Sequence, residues 1–182
     1  MILAIDPGNI ESAFALLDKT TLKIIRFGKV ANEDLLDDLN MDRFFLDESI
    51  ELGKSIEPIY PEHFAIEMVA CYGMPVGKEI FDTVFWIGRF WENANFKEEN
   101  KKFIYRKEET MNLCGSMRAK DGNIIQALKD RFGERGTKKN PGWFYGVKKD
   151  CWQAVAVGVT YHDMYLNSEV RGGFSDVPMP NL

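Results

Sequence analysis

The chain begins with three short apolar runs separated by turn residues, and this arrangement limits the possible folds more than any other feature. The runs lie at 1–5, 13–17 and 22–30, and the third alternates apolar with polar residues. Asp6-Pro7-Gly8 ends the first run, and Asp18-Lys19-Thr20-Thr21 separates the second from the third. Both of these separating segments are typical of turns, so the three runs predict an antiparallel meander.

Helical and strand-like patterns alternate along the rest of the chain. We predict an interrupted amphipathic helix at 33–51, whose acidic face is solvated. After it we predict a buried strand at 63–69, a helix at 80–91 and a strand at 103–105. The chain then continues with a helix at 121–132, for which Asp121 is the N-cap, a loop at 133–146 and a last helix at 147–166. The predicted fold class is α/β, with a mixed five-stranded sheet. Its first three strands are antiparallel, the later ones are parallel, and helices flank them.

Composition excludes several classes of protein. With 182 residues, 45% apolar and 28% charged, the chain has the balance of one folded domain, which we place at 1–166 with a tail at 167–182. No apolar run approaches the ~18 residues of a membrane span. The N-terminus lacks the basic region of a signal peptide, so we expect a cytoplasmic protein.

The cysteines do not suggest a metal site. Cys71, Cys114 and Cys151 have no CxxC spacing, and the chain has only two histidines. A zinc site is therefore not expected, and reduced thiols in or near the core are the preferred interpretation.

Net charge at first argues against a nucleic-acid partner, because the formal charge is −5. The charge is unevenly distributed, however. Residues 101–150 contain thirteen bases and six acids, a net charge of +7 against −12 for the remainder, and four aromatic residues are interleaved with them (Tyr105, Trp143, Phe144 and Tyr145). This segment predicts a surface that binds the phosphates and exposed nucleobases of a nucleic acid. Its candidate binding residues include Lys138, Lys139, Lys148 and Lys149. The alternative, ordinary solvated side chains, remains open for individual residues.

Three carboxylates occupy positions that are unusual for a charge. Asp6 follows four apolar residues, Glu67 lies inside an apolar strand, and Asp150 precedes the apolar Cys151 and Trp152. Each has a structural alternative: Asp6 as a turn residue, Glu67 as the partner of a buried base, and Asp150 as an N-cap. In a mixed sheet the first and fourth strands can be neighbours, and the last helix can bring Asp150 above them.

Such a cluster requires a counter-charge. At about 5 Å, each pair of like charges costs roughly 3 kcal/mol at an effective dielectric of 20. A divalent cation that prefers oxygen ligands, Mg²⁺ or Mn²⁺, fits these groups. Two such ions about 4 Å apart support phosphodiester hydrolysis.

Four segments together resemble the RuvC-like Holliday junction resolvases of the RNase H-like superfamily. The segments are Ile2-Leu3-Ala4-Ile5-Asp6-Pro7-Gly8, Ala65-Ile66-Glu67, the stretch from Leu113-Cys114-Gly115-Ser116 to Phe132, and 149–159 with Asp150 near its start. They stand in the family's order from residue 1 to about residue 165. The stretch 67–77 looks especially like versions carried by bacteriophages of Gram-positive hosts.

The resemblance implies a dimeric, divalent-metal-dependent endonuclease that makes paired nicks in four-way DNA junctions, with other branched DNA as a further substrate. Asp6, Glu67 and Asp150 would be the catalytic residues and the ligands of two Mg²⁺ ions, for which Mn²⁺ can substitute. Products would carry a 5′-phosphate and a 3′-hydroxyl. Lys107, Arg118 and Lys120 would hold backbone phosphates. Tyr72 or Met74 would wedge at the junction centre.

The chain departs from the family at one position on the last helix. The family usually has a second aspartate one turn after the first, where this chain has Gln153. The amide oxygen of Gln153 can bind a metal but adds no negative charge, which weakens the case for a second ion.

Two other functions compete with the nuclease. The first is a junction-binding protein with weak or no nuclease activity, as Gln153 suggests. The second is a relative of the actin-like ATPases, which also use an Asp-x-Gly turn after a first strand. The latter is disfavoured, because such folds need a second glycine-rich phosphate hairpin and roughly twice the length.

Overall fold

The computed structural model describes residues 1–40, 60–71, 73 and 75–167, and its centre is a five-stranded sheet. The strands are β1 (Ile2–Asp6), β2 (Glu11–Leu17), β3 (Ile24–Ala31), β4 (His63–Met68) and β5 (Lys101–Tyr105). They lie in the order β3-β2-β1-β4-β5. The first three strands are antiparallel, and β4 runs parallel to both β1 and β5. The predicted mixed sheet is therefore confirmed, including the pairing of the first and fourth strands.

Helices cover both faces of this sheet. They are α1 (Asn32–Asn40), α2 (Lys78–Asn93), α3 (Arg106–Cys114), α4 (Asp121–Phe132) and α5 (Cys151–Tyr161); a 3-10 turn (Glu98–Asn100) precedes β5 and a π-helical turn (His162–Leu166) continues α5. The helix predicted at 33–51 is described only as α1, because 41–51 lie outside the described residues. The proposed tail is likewise outside them, apart from Asn167.

Two predicted helix starts need correction. Asp121 is the first residue of α4 rather than its N-cap, which is Lys120. The last helix begins at Cys151 and not at Val147, because Lys149 adopts a left-handed backbone conformation (φ +45°) through which a right-handed helix cannot continue.

Helix α3 was not predicted at all. Its sequence is mostly polar, and the residues that it buries are Glu109 and Thr110 rather than an apolar stripe. Apolar periodicity therefore carries no signal for it. The helix ends at Gly115, which adopts the left-handed conformation (φ +65°) that favours glycine at this position.

The cysteine prediction is correct in part. Cys151 is buried and Cys114 is half-buried, but Cys71 is exposed, so the expectation that all three lie in or near the core was wrong. All three are free thiols.

Strand alternation divides the core into two halves. In β1, Ile2 and Ala4 face α4 and α5, whereas Leu3 and Ile5 face α1 and α2. The same alternation in β4 turns Ala65 towards α5. The polar residues that end these strands, Asp6 and Glu67, continue the Ala4 and Ala65 series, so both belong to the α5 face.

Helix α5 lies close against the sheet and is fixed at its far end. A methyl group added at Gly158 would lie 2.4 Å from Leu17 Cδ1 and 3.1 Å from Ala4 Cβ, so only glycine permits this approach. At the end of the helix, the Tyr161 hydroxyl lies 3.0 Å from His63 Nδ1 and donates to the Asn100 carbonyl. These contacts set the helix so that its start lies over the carboxyl ends of β1 and β4.

We expect Gly158→Val to lower the free energy of unfolding by about 2–3 kcal/mol, because the side chain would overpack against Leu17 and Ala4. Urea unfolding measures this directly. The matched control is Gly122→Val on α4, where an added Cβ meets nothing within 4 Å. The control should change stability by no more than about 0.5 kcal/mol. Equal losses for both variants would contradict close packing at Gly158.

Within the described part of the chain, no helix combines the length and the apolar character needed to cross a membrane.

Candidate active site

Asp6 and Glu67 lie side by side at the carboxyl ends of two neighbouring parallel strands. Ile5 and Ile66 are the last residues that pair between β1 and β4, and the two carboxylates follow directly after them. Their side chains are in hydrogen-bond contact with each other. The position predicted from the sequence, with these two groups adjacent on one face, is therefore observed.

The two carboxylates disturb each other's ionisation. Burial, and then the charge of Glu67, raise the pKa of Asp6 well above its ordinary value. Burial also raises the pKa of Glu67, although the positive charge of Arg106 and the hydrogen bond with Asp6 act in the opposite direction. Burial and mutual repulsion therefore both disfavour the doubly charged pair.

A buried polar network fixes the loop that follows Asp6. The Gly8 amide donates to Ser12 Oγ (3.1 Å), Ser12 Oγ donates to Asn32 Oδ1 (2.6 Å), and Asn32 Nδ2 donates back to the Gly8 carbonyl (2.9 Å). A Cβ at Gly8 would lie 2.3 Å from the Glu11 carbonyl oxygen, so the turn requires glycine. Ser12 and Asn32 thus support the backbone that carries Asp6, and the sequence analysis did not identify them.

Asp150 shares an open cavity with Asp6. The cavity has a volume of about 360 Å³ and is lined by the turn after β1, by Glu11 and Lys29, and by Asp150. The Asp150 carboxylate is directed to Lys29, with 2.8 Å between Oδ2 and Nζ, and Lys29 also lies 3.4 Å from Glu11. Asp150 occupies the N-cap position of α5, as the structural alternative predicted, but its side chain makes no capping hydrogen bond.

Arg106 occupies the side of the site formed by α3 and α5. It is the first residue of α3, directly after β5. Its Nη1 donates to Gln153 Oε1 and to Glu109 Oε2, both at 2.7 Å, and its Nη2 pairs with Asp121. The amide oxygen of Gln153, predicted to face a metal, is therefore bound to a guanidinium.

Glu109 is a fourth carboxylate at this site that the sequence analysis missed. Its side chain is fully buried, and within the described structure its Oε1 has no hydrogen-bond partner. Burial, followed by the charge of Glu67, raises the pKa of Glu109 to about 8, against the opposing charge of Arg106. The signal that could have revealed it is the Arg106–Glu109 spacing of three residues at the end of a predicted strand.

The residues present fit a hard divalent cation at the Asp6 and Glu67 pair. Both side chains offer carboxylate oxygens, and among the described residues neither makes an ion pair with a lysine or arginine. As placed, however, no three His, Cys, Asp or Glu side chains of the described ranges converge on one point. The reason is visible in the structure: Lys29 draws the Asp150 carboxylate towards β3.

All seven bases predicted to bind DNA are exposed (Lys107, Arg118, Lys120, Lys138, Lys139, Lys148 and Lys149). Lys148 and Lys149 directly precede Asp150, and Arg118 and Lys120 lie in the loop between α3 and α4. Two other bases of the 101–150 segment have partners within the protein: the buried Lys101 donates to the Trp91 carbonyl, and the exposed Arg131 pairs with the buried Asp163. Exposure of the seven bases is what both the DNA-surface prediction and the solvated-surface alternative require, so DNA binding stays a prediction.

The aromatic residues of that segment do not form the exposed set that we predicted. Phe144 is fully buried, and Trp143 stacks on Phe132 with 5.3 Å between ring centroids. Tyr145 is exposed. Core packing accounts for the buried rings, because large apolar rings stabilise the fold most when they leave water. The predicted wedge residues, Tyr72 and Met74, lie outside the described residues.

The fold places this protein among the RNase H-like α/β structures, with a mixed sheet ordered β3-β2-β1-β4-β5. In particular, it is similar to the solved structure of RuvC from Thermus thermophilus, with a TM-score of 0.56, 14% sequence identity, and coverage of 88% of this chain and 92% of that one. A structure of T. thermophilus RuvC in complex with a Holliday junction substrate matches equally, with coverage of 91% of that chain. No family model and no curated protein matches the sequence.

Proposed function

We propose that this protein is a divalent-metal-dependent endonuclease that cleaves four-way DNA junctions and other branched DNA. The observation that carries the proposal is the Asp6–Glu67 pair: two half-buried carboxylates lie side by side on neighbouring strands and, among the described residues, make no ion pair with a lysine or arginine, and Asp6 opens onto the cavity that it shares with Asp150. Two neighbouring carboxylates repel each other, so a functional cation is the simplest reason for the arrangement. The similarity in fold to a RuvC bound to a Holliday junction supports the substrate class.

In this proposal the chain's own carboxylates hold the cation. Asp6 and Glu67 would present their carboxylate oxygens to it. Asp150 turns from Lys29 towards them, which leaves the Lys29 ammonium free to face a phosphate. The bound cation would polarise the scissile phosphate and lower the pKa of the attacking water.

The backbone network around Gly8 has a positioning role in the same mechanism. Ser12 and Asn32 hold the turn after β1 through three hydrogen bonds, so the Asp6 backbone stays fixed while the carboxylate changes its partner. Fixed ligands reduce the reorganisation required in the transition state.

The DNA surface is proposed to include the exposed loop between α3 and α4. We expect Arg118→Ala and Lys120→Ala each to weaken junction binding and to reduce the slope of log K against log salt by about one unit, because each removes one phosphate contact. Fluorescence anisotropy over a series of salt concentrations measures both quantities. Lys23→Ala is the control, since Lys23 is exposed just before β3, at the strand end away from Lys29. An unchanged slope would remove the residue from the interface.

A homodimer is proposed because paired nicks need two sites. Helix α2 supports it with an apolar face open to solvent: Phe81 and Phe85 are each 63% exposed, and Val84 lies between them. Three such residues at spacings of three and four form one stripe of a helix. An exposed apolar stripe is typical of a protein interface.

The competing function is junction binding with weak or no cleavage. The observation that favours it is the bond between Arg106 and Gln153, because it occupies the amide oxygen that was expected to face a metal. Cleavage of a synthetic junction in Mg²⁺ and in Mn²⁺ separates the two functions: binding without nicks in either metal would favour the competing one.

The resemblance of residues 67–77 supports a bacteriophage of a Gram-positive bacterium as the source. We therefore propose the host cytoplasm, where branched DNA arises, as the place of action.

A further inference from the structure

Two groups of polar side chains meet at the candidate active site, and they differ in one respect. The first is the Asp6–Glu67 pair, which makes no ion pair with a lysine or arginine among the described residues. The second consists of Glu109, Gln153 and Asp121, and a cation already lies at its centre. That cation is the Arg106 guanidinium, which contacts all three side chains.

We propose that the Arg106 guanidinium takes the place of a second divalent cation, so that each subunit binds one divalent ion, held by Asp6, Glu67 and Asp150. This inference rests on the proposed function and defines the metal requirement of that same site. It replaces the two ions expected from the sequence with one ion and one fixed positive side chain.

The geometry around Arg106 leaves no room for an ion at the same place. Two of the three contacting groups bind a single nitrogen, Nη1, at 2.7 Å each, and these are the oxygens that an ion would need. Glu109 and Gln153 belong to α3 and α5, so the guanidinium also joins the two helices. Because arginine does not lose its proton in proteins, this charge is permanent.

The residue at position 153 matches this arrangement. An amide oxygen accepts a hydrogen bond from arginine without adding a charge, whereas an aspartate there would add a negative charge that favours a second divalent ion only once Arg106 is removed. Arg106 also lies close enough to Glu67 for its positive charge to oppose the rise in the pKa of Glu67. The guanidinium charge therefore acts on the Asp6–Glu67 pair as well. A guanidinium in this position is suited to stabilise negative charge on the phosphate during hydrolysis.

The test is to count bound Mn²⁺ by electron paramagnetic resonance of the free ion, using the full chain. We expect one ion per subunit for the wild type and two for the double variant Arg106→Gln, Gln153→Asp. Arg106→Gln alone should lose about 100-fold in junction cleavage. Arg131→Gln is the matched control, because Arg131 also pairs with a buried carboxylate, Asp163, but away from the site; it should still bind one ion.

The single variant Gln153→Asp keeps the test valid if the double variant fails to fold. This variant retains Arg106, which would pair with the new carboxylate, so we still expect one bound Mn²⁺ per subunit. Two bound ions per subunit would overturn the inference. Two ions on the wild type, with junction cleavage, would overturn the inference and leave the proposed function standing. No bound ion and no cleavage by the wild type would overturn both.

Discussion

Asp6→Asn is expected to abolish cleavage of a four-way junction in Mg²⁺ while leaving junction binding in Ca²⁺ unchanged. The asparagine keeps the shape of the side chain but removes one of the negative charges that would hold the cation. Loss of a group that only supports a metal ligand costs about 10- to 100-fold in affinity or activity, so loss of the ligand itself should cost more than 100-fold. A gel assay with labelled junction measures cleavage and binding separately.

Stability separates loss of the ligand from loss of the fold. The pKa of Asp6 is raised in the folded protein, so its charged form destabilises the fold as the pH rises above the ordinary aspartate value. Asparagine has no charge, and in metal-free buffer at pH 7 the variant should therefore be at least as resistant to urea as the wild type.

Asp34→Asn is the matched control for this variant. Asp34 is an exposed carboxylate in the first turn of α1, which packs on the opposite face of the sheet. It should cleave like the wild type. Cleavage by Asp6→Asn at the level of this control would remove Asp6 from the catalytic site.

The second large effect concerns the exposed stripe of α2. Replacing Phe81 and Phe85 together by glutamate is expected to convert a dimer into a monomer, measured by sedimentation velocity. In a symmetric interface each substitution occurs twice, and a central aromatic residue contributes about 2 kcal/mol or more. Four rings are lost in all, and their sum of about 8 kcal/mol corresponds to roughly a 10⁶-fold weaker dimer.

The monomer should retain metal binding but make single nicks in place of paired ones. Ile25→Glu serves as the control, because Ile25 is similarly exposed but lies on the edge strand β3. If the wild type sediments as a monomer with and without junction DNA, the dimer proposal is wrong.

Much of the fold could be predicted because the chain repeats simple patterns. Short apolar runs with tight turns predicted the meander, and the later strands alternate with apolar helices. The same reasoning allowed Asp6 and Glu67 to be neighbours, since the first and fourth strands of a mixed sheet can pair, and the structure shows that they do. Alternation then determines that both face α5.

The remainder of the site depends on contacts that no local pattern encodes. Helix α3 buries a glutamate where a helix usually buries an apolar residue, so neither the helix nor Glu109 was visible in the sequence. The partner of Asp150 is Lys29, which is more than a hundred residues earlier in the chain. The link between Arg106 and Gln153 likewise joins two helices that only the fold brings together.

The charge of the chain has a different meaning once its residues are placed. The net charge of −5 combines +7 for residues 101–150 with −12 for the remainder of the chain. Some bases of the positive segment have partners within the protein: Lys101 donates to the Trp91 carbonyl, and Arg131 pairs with Asp163. Overall charge is therefore a poor guide to nucleic-acid binding here, and exposed charge is the better measure.

The most direct test of the proposed function is cleavage by the wild-type protein of a synthetic four-way junction in Mg²⁺, run beside a replication fork, a linear duplex and an EDTA control. We predict paired nicks in the junction with 5′-phosphate and 3′-hydroxyl ends, an uncut linear duplex, and no cleavage in EDTA. A protein that binds the junction but leaves it intact in both Mg²⁺ and Mn²⁺ would contradict the nuclease.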